Sequence, residues 1–399
     1  PLNRVADRYG AWFTPFVLLF AAGVYYFTRD LRTTYAVFVI ATPCPLLIAT
    51  PVAIISGIGR AAKKGAIIKN GSALEAVAQI DAVVLDKTGT LTKGQPEIIE
   101  VVSLDNQHDK QTIANYAGAL NQFSTHILAE SFVKAADLKT LSNWKINNFK
   151  EELGKGVSGT INNQVVIVGS YSLIKQHNLM IGKDLEQQKI KDHEQGFITS
   201  FVAIDQKVIG YIKLTDKLRE NAKQLITDLG QLGIKDIVLA TGDSLPVADR
   251  IGKEVGITDI AAETKPEQKA DIVKRLQNQG YTVGMIGDGV NDAPAMGLAH
   301  VGIAMGARGS TIASEASDIV ILSNNINRVS EAVIIGKKTL HIAKQGIWLG
   351  MGLSLIGMAA AALGLLPPAI GAMGQEAIDI VAIMNALRVL SIKTGVEDK

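Results

Sequence analysis

The sequence predicts a doubly wound α/β domain, interrupted by a more polar α+β insert and carried between two pairs of membrane-spanning helices. Three observations lead to this. Apolar runs near the ~20 residues that cross a bilayer occur toward both ends of the chain. Short β-branched runs ending in Gly or Asp recur at 82–85, 236–240 and 281–286, separated by helix-like stretches such as 217–232 and 266–278, which is the alternation of a parallel sheet. The first of these strands is remote from the others. The segment between, about 94–208, is more polar and holds hairpin-like pieces at 157–161 and 165–168 around Asn162-Asn163.

The first apolar run covers 11–27, and after a polar link at 28–34 a second covers 35 to about 58. A buried pair of core helices is the alternative, and the flanking charges weaken it. Arg4 and Arg8 precede the pair and Arg60, Lys63, Lys64 and Lys69 follow it, which puts both outer ends in the cytoplasm, with Arg29 and Arg32 in the link running against the trend. Runs at 340–366 and 368–390 make the second hairpin, preceded by Lys337, Lys338 and Lys344 and followed by Arg388 and Lys393. The expected division is a hairpin and stalk over 1–70, the first part of the α/β domain over 71–93, the insert over 94–208, the second part over 209–331, and a hairpin with tail over 332–399. This describes a multi-pass membrane protein with its large insert in the cytoplasm.

Composition excludes some classes. A net charge of +2 without a basic run argues against nucleic acid. Cys44 is the only cysteine, so neither an intrachain disulfide nor a cysteine-rich zinc site is available. The chain opens Pro-Leu-Asn-Arg, with neither an initiator Met nor a signal peptide, and is expected to start mid-protein.

The chemistry centres on Asp86-Lys87-Thr88-Gly89-Thr90-Leu91-Thr92, directly after the first strand. A carboxylate at a strand's carboxyl end can attack a γ-phosphoryl group and form an aspartyl phosphate, given Mg²⁺ and a cation to neutralise the oxygens. The alternative is an Asp that only caps a turn. Two further strand ends carry related chemistry: Thr241-Gly242-Asp243 follows the second, and Gly287-Asp288-Gly289-Val290-Asn291-Asp292-Ala293-Pro294 the third. A parallel sheet would bring Asp86, Thr241, Asp288 and Asp292 to one pocket. Asp288 with Asp86 can hold an octahedral Mg²⁺, the Thr241 hydroxyl can hold phosphoryl oxygens, and Lys269 can supply the cation. A lone Gly-Asp is ordinary turn chemistry; three in this order are specific.

The heptapeptide and these elements resemble the P-type ATPases, whose haloacid-dehalogenase-like phosphorylation domain carries an inserted nucleotide-binding domain. The resemblance implies Asp86 as phosphorylated nucleophile, with Lys87, Thr88 and Asp243 beside it in the catalytic set and Asp86, Thr88 and Asp288 as magnesium ligands. It implies Asn291 and Asp292 as hinge and phosphate-site supports, and it matches Asp216 and Arg219 to the family's further D-x-x-R element at the nucleotide. In the insert, Ser124-Thr125-His126-Ile127 and Gly154-Lys155-Gly156 look like the nucleotide signatures of the heavy-metal branch. Glycines let backbone approach a phosphate or base, and a histidine can bond or stack on adenine. The ordinary readings are a satisfied histidine and a simple turn. Two departures stand out: Ile127 where the family has Pro, and Asn121 where it has Glu.

In the second apolar run, Thr42-Pro43-Cys44-Pro45 cannot stay in a regular helix, and irregular backbone in a membrane lines a cavity or is buried in protein. Cys44 reads there as a soft metal ligand, against its ordinary role as a small buried hydrophobe. In the last run Glu376 and Asp379 share a helical face, and intramembrane carboxylates usually face an ion pathway, whereas Gln375 can sit at headgroup level. Thr-Pro-Cys with Gln-Glu-x-x-Asp resembles a less common heavy-metal branch associated with iron, nickel or cobalt. One thiolate with carboxylates argues against Cu(I) and for a divalent ion, namely iron, nickel, cobalt or zinc. No Thr-Gly-Glu occurs, so the resemblance implies a C-terminal pump portion whose actuator part is missing. The expected function is ATP-driven metal efflux using ATP and Mg²⁺. The alternatives are a membrane-anchored phosphatase and a non-transporting metal-binding subunit.

Overall fold

The structure is a computed structural model that describes residues 2–42, 44–105, 107–288, 291–306 and 315–395; the side chains of 2–10 and 44–46 lie outside the described set. In chain order, α1 (Leu2–Thr28), α2 (Leu31–Ile40), α3 (Cys44–Lys63), β1 (Ala66–Ile68), α4 (Gly71–Gln79) and β2 (Ala82–Asp86) come first. Next are β3 (Glu97–Ser103), α5 (Lys110–Asn121), α6 (Ala129–Ala135), α7 (Leu138–Leu141), β4 (Ile146–Glu152), β5 (Gly156–Ile161), β6 (Gln164–Gly169), α8 (Tyr171–Gln176), α9 (Lys183–Glu194), β7 (Ile198–Ile204) and β8 (Lys207–Thr215). Then follow α10 (Ala222–Gln231), β9 (Asp236–Ala240), α11 (Leu245–Val255), β10 (Asp259–Ala261), α12 (Pro266–Asn278), β11 (Val283–Gly287), α13 (Ala293–Leu298), β12 (Val301–Met305), β13 (Ile319–Ile321), α14 (Arg328–Ala362) and α15 (Pro368–Leu387). The chain divides into two compact units, Pro1–Val84 with Gln224–Ile237 and Pro266–Lys399, and Leu85–Lys223 with Val238–Lys265.

In the first unit, the segments 11–28, 328–362 and 368–391 are helices long and apolar enough to cross a membrane. Their outer surfaces expose Trp12, Leu19, Phe27, Trp348, Ile356 and Met373, as expected of a lipid-facing surface. The second expected span differs: it is divided into α2 and α3, with α2 ending at Ile40 and α3 starting at Cys44. Proline ahead of Cys44 accounts for this, because it disfavours helix in the preceding residue and has no N–H to continue one. Asp30 caps α2 by accepting from the N–H groups of Arg32 and Thr33. Inside the helical layer Phe13, Val17, Val37, Ile40 and Met358 pack together. Glycine permits the tightest crossing, since a methyl on Gly57 of α3 would stand 2.7 Å from Thr339 Oγ1 of α14.

The larger sheet has the order β1-β13-β12-β11-β2-β9-β10, with β1 antiparallel on β13 and the pairs β13/β12, β12/β11 and β9/β10 parallel. The three strands read from sequence, β2, β9 and β11, are consecutive in it. Lys337 Nζ donates to the carbonyl of Leu232, just past α10, a cation on a helix C-terminus.

The second unit contains an antiparallel sheet of order β3-β8-β7-β6-β5-β4. Its pattern follows alternation: Ile113, Leu120, Val166, Val168 and Ile212 form a core on one face, and Ile167, Leu173, Phe201 and Tyr211 a core on the other. The β5–β6 hairpin turns on Asn162 and Asn163, both at positive φ (48° and 71°), the conformation that a two-residue loop of matching twist requires. The closing strand β8 runs to Thr215, past the expected edge of the insert at residue 208.

Candidate active site

Asp86 ends β2 behind four fully buried residues, Ala82 to Leu85, and is itself 6% exposed. The chain then makes one wide turn over Lys87–Leu91, which needs a left-handed residue and finds it in Gly89 (φ 73°). Thr92 Oγ1 accepts from Gly89 N–H and donates to Lys87 O, both at 3.1 Å. Arg219 completes the clamp, donating from Nε to Thr90 O and from Nη2 to Gly89 O, both at 2.8 Å. These two donors of Arg219 shape the loop. Lys87 Nζ lies 2.5 Å from Asp243 Oδ2, and the Thr241 hydroxyl donates to the same carboxylate oxygen at 3.2 Å. Thr241 is 1% exposed and is tied by its N–H to Ala261 O and by its carbonyl to the Thr264 hydroxyl.

A cavity of about 430 Å³ adjoins this loop and is lined by Lys87, Thr88, Asp216 and Asp243 together with His126, Gly154 and Gly156. Its volume is in the range of small-molecule sites. His126 Nδ1 accepts from Leu128 N–H at 3.2 Å, which places the ring proton on Nε2, as a donor. Gly154 is left-handed (φ 72°), and Gly156 lies so close to β6 that a Cβ would stand 2.3 Å from Val168 O. The sheet itself therefore demands Gly156, whatever else it does.

Asp216 has a buried Oδ1 without a hydrogen-bond partner among the described residues. Burial raises its carboxyl above the ordinary value, outweighing the Thr92 hydrogen bond, the charge of Lys87 and the N–H groups of Gly94 and Gln95. The stability attached to a raised pKa is present below the unfolded value and lost as pH rises through the folded one, so ionised Asp216 is a cost at neutral pH. Asp216→Asn is therefore expected to raise Tm by ~2 °C at neutral pH, with the gain vanishing near pH 4. Calorimetry at the two pH values checks this, and an unchanged or lower neutral Tm would contradict it.

The first unit holds a second cluster. Lys269 of α12 and Asp292 are 2.7 Å apart, with side chains only 7% and 1% exposed. Asp292 folds back over the end of β11, where a Cβ on Gly287 would stand 2.3 Å from its Oδ2, and that oxygen has no partner among the described residues. Asp288 is half-buried directly after β11 and Asn291 is exposed; Gly289 and Val290 lie outside the described residues.

In the helical layer, the break releases the carbonyl of Thr42, which accepts from Gln375 Nε2 at 3.1 Å. The same nitrogen is 3.2 Å from Asp379 Oδ1, while Gln375 Oε1 is buried and unpartnered among the described residues. Gln375 and Asp379 are 5% and 9% exposed, and Glu376 is exposed. Gln375 and Asp379 thus form a buried i,i+4 pair, with Glu376 exposed beside them. Pro43 and the Cys44 side chain lie outside the described residues. Among the described residues no three His, Cys, Asp or Glu side chains are grouped as a metal site.

A family model for haloacid dehalogenase-like hydrolases matches residues 80–300, the span holding the Asp86 loop and the Lys269–Asp292 pair. A "Probable cadmium-transporting ATPase" of Staphylococcus aureus (strain MRSA252) is 35% identical over 98% of this chain and 56% of its own length. A "Copper-exporting P-type ATPase" of Staphylococcus epidermidis is 36% identical over 98% of this chain and 50% of its own. The crystal structure of a zinc-transporting PIB-type ATPase in its E2.Pi state matches with a TM-score of 0.79 at 30% identity, over 96% of this chain and 63% of that one. The chain belongs to the heavy-metal-transporting P-type ATPases. It spans about half the length of the curated relatives it matches.

Among the residues expected of a P-type ATPase, Asp86, Lys87, Thr88, Thr241 and Asp243 lie in one unit with His126, Gly154, Gly156, Asp216 and Arg219. Lys269, Asp288, Asn291 and Asp292 lie in the other, as do Cys44, Glu376 and Asp379. Sequence reasoning left Gln375 at the headgroup level. The signal that could have found it is its i,i+4 spacing to Asp379, one full helical turn.

Proposed function

We propose that this chain drives the export of a transition-metal cation with ATP, through an aspartyl phosphate on Asp86. The observation that carries the reading is the single cavity in which Lys87 and Thr88 share walls with His126, Gly154 and Gly156. A triphosphate reaching along it has its base near the imidazole and its terminal phosphoryl group near the heptapeptide. An Asp86 oxygen attacks the γ-phosphorus, the bond to the β–γ bridging oxygen breaks, and ADP leaves with that electron pair. Water later cleaves the acyl phosphate, a step the resemblance assigns to an actuator part. Oxygen ligands suit Mg²⁺, which Asp86 and Thr88 would help to hold, and the bound ion would supply charge neutralisation on the phosphoryl oxygens. The catalytic part of the chain faces the cytoplasm.

For the cargo, the donors we propose are the Thr42 carbonyl, Gln375 and Asp379, with Cys44 as the soft ligand expected from the sequence. One sulfur among oxygen donors favours a divalent borderline ion over Cu(I). Of iron, nickel, cobalt and zinc, zinc is also named for the solved relative. The test is acid-stable labelling of the purified chain by γ-labelled ATP across Fe²⁺, Ni²⁺, Co²⁺, Zn²⁺, Cd²⁺ and Cu⁺. The expected result is a label stimulated by a divalent ion and lost in Gln375→Ala and Asp379→Ala but retained in Glu376→Gln. Stimulation by Cu⁺ alone, or loss in Glu376→Gln with Gln375→Ala unaffected, would overturn this metal site.

A further inference from the structure

We infer that Glu151 is the residue that recognises the 6-amino group of the purine base; the inference rests on the nucleotide reading above. The family's Glu is replaced here by Asn121, which is uncharged, 6% exposed and donates from Nδ2 back to Ala117 O of its own helix at 2.8 Å. The carboxylate absent at that position is present across the same cavity. Glu151 lies on β4, in register opposite Val157, and is half-buried. Its Oε1 accepts from the Ser124 hydroxyl at 2.6 Å, and that hydroxyl accepts from His126 N–H at 3.0 Å. Glu151, Ser124 and His126 therefore form one connected chain along the cavity wall. Glu151 Oε2 has no hydrogen-bond partner among the described residues.

The neighbouring carboxylate is not equivalent. Glu152 is engaged with Lys155 at 3.3 Å and with Gln176 at 3.2 Å, so both of its oxygens are occupied. A carboxylate fixed through one oxygen and open at the other is an acceptor without a donor. Adenine presents a matching donor at position 6, whereas a 6-oxo purine presents an acceptor there and is repelled. Because a hydrogen bond to a charged acceptor in a partly desolvated site is stronger than a neutral one, Glu151 confers selectivity as well as affinity.

The test is equilibrium binding to the purified full chain of ATP and of purine riboside 5′-triphosphate, which is ATP with hydrogen in place of the 6-amino group. Wild type is expected to bind ATP about tenfold more tightly than the analogue. In Glu151→Ala the two affinities become equal through weakening of ATP alone, and in Glu151→Gln the preference falls to about threefold or less. Equal weakening of both ligands, or a preference unchanged in both variants, would overturn the assignment. If wild type binds neither triphosphate, the nucleotide reading itself fails, which is a different outcome from binding both equally.

Discussion

Replacing Lys269 by Met is expected to lower the stability of the chain by about 3–5 kcal/mol, the cost of stripping a buried carboxylate of its partner. Met keeps the length and apolar stem of Lys, so packing is nearly conserved and the change isolates the charge. What remains is Asp292 at 1% side-chain exposure, with Oδ2 already unpartnered and Gly287 pressed beneath it. The group is shielded from solvent. The double variant Lys269→Met/Asp292→Asn removes the orphan charge and should recover most of the loss. Thermal melts of the single and double variants form the test. A Lys269→Met protein within ~1 kcal/mol of wild type would mean that the pair is not closed in solution.

Arg219→Lys is expected to lower the rate of phosphorylation by ATP about 100-fold while ATP affinity stays within about twofold, because misplacing a reacting group by an ångström costs roughly this much. The guanidinium grips two successive carbonyls, Gly89 O and Thr90 O, from two different nitrogens at 2.8 Å. A lysine ammonium keeps the charge but cannot present that planar pair of donors. The loop carrying Thr88 would then lose its side-chain grip on the Gly89 and Thr90 carbonyls, keeping Thr92 and the backbone N–H of residue 219 on Leu91 O. Measuring the single-turnover rate and the ATP dissociation constant together separates the two roles open to this residue. A large loss of ATP affinity with an unchanged saturated rate would return Arg219 to the nucleotide, where the family resemblance put it.

Much of the architecture was legible because its signals are local. The strand before Asp86 is four consecutive apolar residues, the β5–β6 turn is two asparagines that tolerate positive φ, and the break ahead of Cys44 is written in prolines. Each rests on conformational preferences within a few residues. What was not legible depends on partners far apart in the chain. Gln375 became informative only when its amide met the carbonyl of Thr42, a separation of 333 residues. Arg219 reads as a nucleotide ligand by motif, and its contacts with the loop 129 and 130 positions earlier carry no local signal. Glu151 carries no motif, and its role emerges from a cavity wall shared with Ser124 and from the missing carboxylate at Asn121.

The central claim is that Asp86 is the phosphorylated nucleophile. Its most direct test is to label the purified chain with γ-labelled ATP and Mg²⁺, quench in acid, and map the labelled residue by reduction of the acyl phosphate and peptide mass spectrometry. The account predicts a single modified residue, Asp86, with labelling absent in Asp86→Asn although that variant still binds ATP. A label on any other residue, or one that persists in Asp86→Asn, would contradict it.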